Sequence, residues 1–263
     1  MNTDLDTISQ PRPSALATSQ ATAVEQARAV AEVAAAVRVA QDFPRDLNKA
    51  RAQMQQACNT YSLAERAFYS VPNRGSGPSV HLARELARCW GNVQHGMVEL
   101  RRDDRGGESE MQAFAWDVEN NSRSTRSFIN PHKRGKKVLT DSTDIINSNN
   151  SAGARAVRET IFNVLPVWFV EEAKALCQAT LERGNGESLT DRIAKAVASF
   201  ARANVTAEQL EARIGRTRDR WDEQDVASLS VLYQSLSAGE TTRDEEFPAT
   251  SGVTAEEITG GAQ

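Results

Sequence analysis

Six cations, Arg123, Arg126, Lys133, Arg134, Lys136 and Lys137, fall within one stretch, Asn120 to Thr140, that contains no Asp or Glu. Clustered positive charge of this kind neutralises backbone phosphates, and flat side chains on an adjoining strand, here Phe114 and Trp116, add base stacking. The chemistry open to these residues is therefore the gripping of a polynucleotide. A basic run of this size also serves as a merely solvated hairpin and loop, and the run alone does not decide between the two. The formal net charge of the whole chain is −4, so a polyanion-binding surface has to concentrate its positive charge locally.

Catalytic chemistry has fewer candidates. A nuclease needs carboxylates converging on a divalent cation, and Asp103, Asp104, Glu108, Glu110, Asp117 and Glu119 are available. Asp117 and Glu119 share a strand face, but no Lys follows in the pattern of a common nuclease core, and the acids read better as a solvated turn. Gly135-Lys136-Lys137 lacks the upstream glycine and the hydroxyl residue of a phosphate-binding loop, which speaks against ATP-driven chemistry. His81, His95 and His132 are scattered, and Cys58, Cys89 and Cys177 show no metal-ligand spacing. No metal, no cofactor and no catalytic residue is expected, and the cysteines read as reduced core thiols.

The elements that must position the basic run follow from periodicity. Residues 1–22 are polar and Pro-containing, and read as a disordered tail. A helix is expected from Ala23 to about Gln41, and a second from Pro44 to Cys58. A short strand over Ala67–Val71 leads to a Pro- and Gly-rich loop, Pro72–Gly77, that carries Arg74, and then to a helix over Pro78–Trp90 with Trp90 in the core. Three strands follow, Val93–Arg101, Ser109–Glu119 and Arg123–Asn130, forming a meander. Met111, Ala113 and Ala115 alternate with Phe114, Trp116 and Val118, so one face is expected to meet a helix.

Asp141–Asn150 reads as a polar loop, and Ser151–Val164 as a helix with Arg155 and Arg158 on a common face. Those arginines either are solvated, with Arg155 paired to Glu159, or hold phosphate. Pro166 separates that helix from one over Trp168–Arg183. After Gly184-Asn185-Gly186, residues 187–238 form a small helical domain with helices over Leu189–Phe200, Ala207–Ile214 and Asp222–Leu236. Residues 239–263 read as an acidic disordered tail. The expected class is α+β, an antiparallel β-meander packed on a long helix, flanked by N-terminal helices and a C-terminal helical bundle. Residues 23–183 form its core domain. No signal or membrane segment is evident, so a cytoplasmic location without membrane attachment is expected.

Two segments carry a family resemblance. The helix Ala152-Gly-Ala-Arg-Ala-Val-Arg-Glu-Thr-Ile-Phe-Asn-Val-Leu-Pro166 resembles a segment of the phage single-strand annealing proteins of the RecT and lambda Bet type, which share a core with the eukaryotic annealing mediator. Gly77-Pro-Ser-Val-His-Leu-Ala-Arg-Glu-Leu-Ala-Arg-Cys-Trp-Gly-Asn92, taken with Ser109-Glu-Met-Gln-Ala-Phe-Ala-Trp-Asp117, is similar to phage recombination proteins. The resemblance covers roughly Phe43 to Arg183. It implies a non-catalytic, ATP-independent protein that binds single-stranded DNA in a positive groove between sheet and helix, anneals complementary strands, and works as a ring or filament of identical copies. The groove residues it implies are Arg123, Arg126, Lys133, Arg134, Lys136, Lys137, Arg155 and Arg158, with Arg74 on the loop. It also implies that the C-terminal module contacts an exonuclease or a single-strand binding protein. The competing class is a helical phage assembly factor whose basic hairpin contacts packaged genome.

Overall fold

The computed structural model describes residues 20–72 and 75–248, and these form an α+β fold with ten α-helices and seven strands. The chain divides after Pro44 into two units. The first contains α1 (Gln20–Asp42). It starts three residues before the expected position, since Gln20 and Ala21 continue the helix-forming Ala-rich pattern; residues 20–22 are thus helical, and the rest of the expected N-terminal tail lies outside the described residues.

The second unit opens with α2 (Leu47–Cys58). Its start falls after Pro44 because the Asp46 carboxylate accepts the Asn48 and Lys49 N–H groups and so fixes the cap. A short helix, α3 (Tyr61–Ala64), precedes an antiparallel hairpin, β1 (Phe68–Val71) with β2 (Gly75–Pro78). The hairpin takes up part of the expected Pro72–Gly77 loop. Ser79 caps α4 (Val80–Trp90), which buries Leu82, Leu86, Cys89 and Trp90.

The meander consists of β3 (Val93–Asp103), β4 (Glu108–Asp117) and β5 (Ser122–Pro131), hydrogen-bonded in that order with both pairs antiparallel. Strict alternation along β4 buries Ser109, Met111, Ala113, Ala115 and Asp117 on one face. A two-residue-per-strand hairpin, β6 (Lys133–Arg134) and β7 (Lys137–Val138), follows.

The long helix, α5 (Ser142–Val164), runs through the segment expected to be a polar loop. Asp141 supplies the cap by accepting the Thr143 and Asp144 N–H groups. Ile145, Asn149 and Gly153 then recur every four residues on the buried side, which continues as Ala156, Val157, Thr160 and Ile161. Gly153 is needed there: a Cβ at that position would overlap the Met97 sulfur, so the helix backbone rests directly on β3.

Asn149 is polar yet buried because it joins a closed network. Its amide donates to Ser109 Oγ (3.1 Å) and Glu99 Oε1 (3.3 Å), and its carbonyl accepts from Asn130 (2.8 Å). Ser109 also lies 2.9 Å from Nε2 of buried His132, which ties the root of the basic hairpin to the sheet. A serine beside a histidine invites a nucleophile reading. Here, however, the carboxylate of Glu99 accepts from the serine (2.6 Å), and Ser109 is fully buried, so the arrangement is a structural tie.

The next helix, α6 (Val167–Arg183), packs on α2 and buries Phe169, Ala173, Cys177 and Leu181 in the main core. The C-terminal part holds α7 (Leu189–Arg202), α8 (Ala207–Ile214), a single 3-10 turn at Arg218–Arg220, α9 (Glu223–Ser237) and α10 (Arg243–Glu246). Capping boxes start α8 at Thr206 and α9 at Asp222. These helices bury a cluster of their own around Phe200, Leu210, Trp221 and Leu232, while Ala227 and Val231 of α9 belong to the main core. Ser70 of β1 donates its N–H to Ser235, so α9 is joined to the hairpin. Gly184 takes a positive φ of 72° against the Arg192 side chain, whose guanidinium donates to the Leu181 and Glu182 carbonyls (2.7 Å each). Those bonds satisfy the end of α6 and staple α7 to it. Within the expected acidic tail, Thr242 caps α10 and Phe247 is buried; residues 249–263 lie outside the description.

Candidate nucleic-acid interface

Asp117, the strongest carboxylate candidate in the sequence, is committed elsewhere. It accepts from Arg45 (2.8 Å), Trp90 Nε1 (3.1 Å) and Asn120 Nδ2 (2.8 Å), and the Arg45 and Asp117 side chains are 5% and 1% exposed. Burial pushes the Asp117 carboxyl upward, but the hydrogen bonds from Arg45, Asn120 and Trp90 outweigh it and hold the pKa below its ordinary value. Arg45 also donates to the Trp90 and Gly91 carbonyls and lies over the Trp90 ring. The cluster joins the chain just before α2 to α4 and β4. Among the described residues no group of three His, Cys, Asp or Glu side chains is placed to hold a metal ion.

The basic residues divide among three surfaces. Register places Arg123 opposite Trp116 and Thr125 opposite Phe114, on the sheet face turned away from α5. The half-buried aromatics Phe114 and Trp116 lie on that face, and the Trp116 indole N–H has no partner there among the described residues. Arg126 and Phe128 alternate onto the α5 side, where Arg126 forms an ion pair with Glu159 and Phe128 packs against the core. Glu159 is thereby engaged by Arg126, not by Arg155 as one sequence reading has it. Lys133, Arg134, Lys136 and Lys137 are exposed on the β6–β7 hairpin. Arg74 lies outside the described residues.

The third surface is a cleft of about 1210 Å³, bounded by α5, the β3 edge at His95 to Met97, Tyr69 and Val71 of β1, the first turns of α4 and the chain just after α9. Arg134, Arg155 and Arg158 line it, and α4 adds Arg84. Sheet and helix touch directly at Met97 and Gly153, so this concavity opens beside their contact, not as a groove separating them. Arg158 is anchored, with its guanidinium 4.5 Å from the Tyr69 ring centre and its side chain only 16% exposed. Among the described residues Arg84, Arg134 and Arg155 have no carboxylate partner. Glu159 and Glu240 are the acids of the lining, leaving four arginines against two carboxylates.

Two histidines share this wall. Partial burial lowers the pKa of His81, helped by Arg66 and Arg84 and opposed by Glu240; burial and then Arg84 lower that of His95. Both imidazoles are consequently neutral donors and acceptors near pH 7. Between the arginines, Ser148, Asn150, Ser151, Ala152 and Gly153 give the α5 wall small or uncharged side chains, over which an extended polymer can lie.

Arg84, His81 and His95 were not singled out by the basic run, because they stand on other elements. A signal for the first two did exist: His81 and Arg84 are three apart on α4, opposite the Leu82–Leu86 stripe, and so face outward together. The three cysteines are buried thiols. Cys58 is held protonated chiefly by its hydrogen bond with Cys177 and by burial, and burial raises Cys89 to about 11, so neither offers a thiolate at neutral pH. No helix among the described residues is long and apolar enough to cross a membrane.

Comparison with protein-family models, with curated proteins and with solved structures gave no match.

Proposed function

We propose that this protein binds single-stranded DNA along the arginine-lined cleft and anneals it to a complementary strand without ATP. The observation that carries this reading is the convergence of Arg84 from α4, Arg134 from the β6–β7 hairpin, and Arg155 and Arg158 from α5 on one open concavity. Four cations on three elements give a line of phosphate contacts that no single helix face provides. A strand held by its backbone keeps its base edges free, so a second strand tests pairing without the protein reading sequence. Selection then comes from pairing energy, and the protein needs no catalytic residue.

Lys133, Lys136 and Lys137 extend the positive surface outward from Arg134, and Arg123 with Arg126 belongs to the flanking sheet. The resemblance of the Ala152–Pro166 helix to phage annealing proteins supports this reading, and a role in phage-type recombination is part of the proposal. A ring or filament of identical copies, a cytoplasmic setting, and an exonuclease or single-strand binding protein engaged by the C-terminal helices are further parts of the same proposal.

Fluorescence anisotropy with a labelled single strand, at low ionic strength, tests the binding step. The expected result is binding that prefers single strand to duplex and weakens steeply with salt. Equal affinity for duplex, or none for either, favours the assembly-factor reading.

A further inference from the structure

The charged side chains of α1 all stand on one side of the helix. At about 100° per residue, Glu25, Arg28, Glu32, Arg38 and Asp42 fall within an arc of roughly 140°. The opposite side carries Ala23, Gln26, Val30, Val33, Val37 and Ala40, spaced alternately three and four residues apart, which is the seam of a two-helix coil. The positions flanking that seam, Ala27, Ala34, Ala29 and Ala36, are all alanine, so another helix backbone can approach closely. Val30 and Val33 are 70% and 51% exposed, whereas Val37 is half-buried and Ala40 buried. An uncovered apolar stretch is thus left along the first three turns.

We propose that this stretch of α1 pairs with α1 of a second copy of the chain. The charges argue for such an occupant. Arg28 bonds Glu32 (2.9 Å) and reaches Glu25 (4.0 Å), and Arg38 bonds Asp42 (2.8 Å), so these side chains satisfy one another along the back of the helix and call for no charged ligand. A membrane surface requires a basic polar face and large apolar anchors. The back of α1 instead alternates sign, and its apolar side has only Ala and Val. A three-and-four spacing complements itself, and every copy of the chain supplies it in equal amount. The uncovered seam, Ala23 to Val33, is about 15 Å long. A contact this short is weak and builds with concentration. It stands independently of the cleft, because it needs no DNA.

The test uses the full chain without nucleic acid. Sedimentation velocity across a concentration series is expected to show mean mass rising above one chain for the wild type. Val30→Glu with Val33→Glu should abolish that rise and hold the mean mass near one chain at the highest concentration. Val24→Glu with Val39→Glu, on equally exposed valines of the charged side (63% and 53%), should leave it unchanged. Glu is a good helix former, so circular dichroism should report the same helicity in both variants. In a second arm, Val30→Cys with Val33→Cys should cross-link between chains on mild oxidation in either helix direction, and Val24→Cys with Val39→Cys should not. The proposal is overturned if the wild type stays a single chain throughout, if both Glu pairs behave alike, if the two Cys pairs cross-link equally, or if α1 binds anionic vesicles and the Val30/Val33 variant abolishes that binding.

Discussion

Arg158 of α5 lies over the ring of Tyr69 in β1, its guanidinium 4.5 Å from the ring centre, while Arg155, one turn earlier on the same helix, is exposed and unpaired among the described residues. Two arginines on one helix therefore have different duties: one is held in place by the protein, and the other is free to meet a ligand. Arg155→Ala is expected to weaken single-strand binding and leave the urea midpoint unchanged. Arg158→Ala should weaken binding and also cost about 0.5–2 kcal/mol of stability, the worth of a partly desolvated cation–π contact. Parallel anisotropy and urea titrations separate the two.

Salt dependence counts the phosphates that the cleft holds. Each phosphate neutralised on a single strand contributes roughly 0.7 to the slope of log affinity against log salt. Arg84→Ala combined with Arg155→Ala should accordingly flatten the slope by about 1.4. An unchanged slope would place the polynucleotide on another face, and the sheet surface bearing Arg123 and Trp116 would be the next to mutate.

The histidines give the cleft a pH response. His81 and His95 have pKa values lowered in the free protein, and a bound polyanion favours their protonated forms. Affinity for single strand should rise as pH falls below the ordinary histidine pKa of about 6.5. His81→Gln with His95→Gln should remove that rise and leave affinity at pH 8 unaltered, as measured by anisotropy at constant ionic strength.

Asp117 supplies stability, and its loss should look structural. Asp117→Ala takes from buried Arg45 its 2.8 Å carboxylate partner and leaves only Glu119 at 3.9 Å, a change expected to cost up to about 3–5 kcal/mol. Since the Asp117 pKa is lowered on folding, its contribution is present in full above the ordinary carboxylate pKa near 3.8 and disappears as pH falls through the folded value. Urea midpoints measured between pH 3 and 7 should therefore fall for the wild type at the acid end. The Asp117→Ala variant should start lower and lose less over that interval.

Much of the architecture was readable from periodicity. Alternation along β4 set Met111, Ala113 and Ala115 on one face and Phe114 and Trp116 on the other without telling which meets α5, and the stripe from Leu82 to Trp90 marked the buried side of α4. The first half of α5 was not readable, because Asn149 is polar at a buried position. Only its bonds to Ser109, Glu99 and Asn130, supplied by three strands of the sheet, make that burial affordable. The candidate site was legible in part. Arg134, Arg155 and Arg158 line the cleft, but Arg84 joins them through the packing of α4 against α5, a relation that no spacing along the chain encodes. Arg126 was drawn away by Glu159, a partner on another element.

The most direct test is the rate at which two complementary labelled strands pair, followed by energy transfer with the full chain, at low salt and without ATP. The account predicts a marked acceleration over the strands alone that is lost in the Arg84→Ala/Arg155→Ala protein. Strands that pair no faster with the protein than without it would contradict the account.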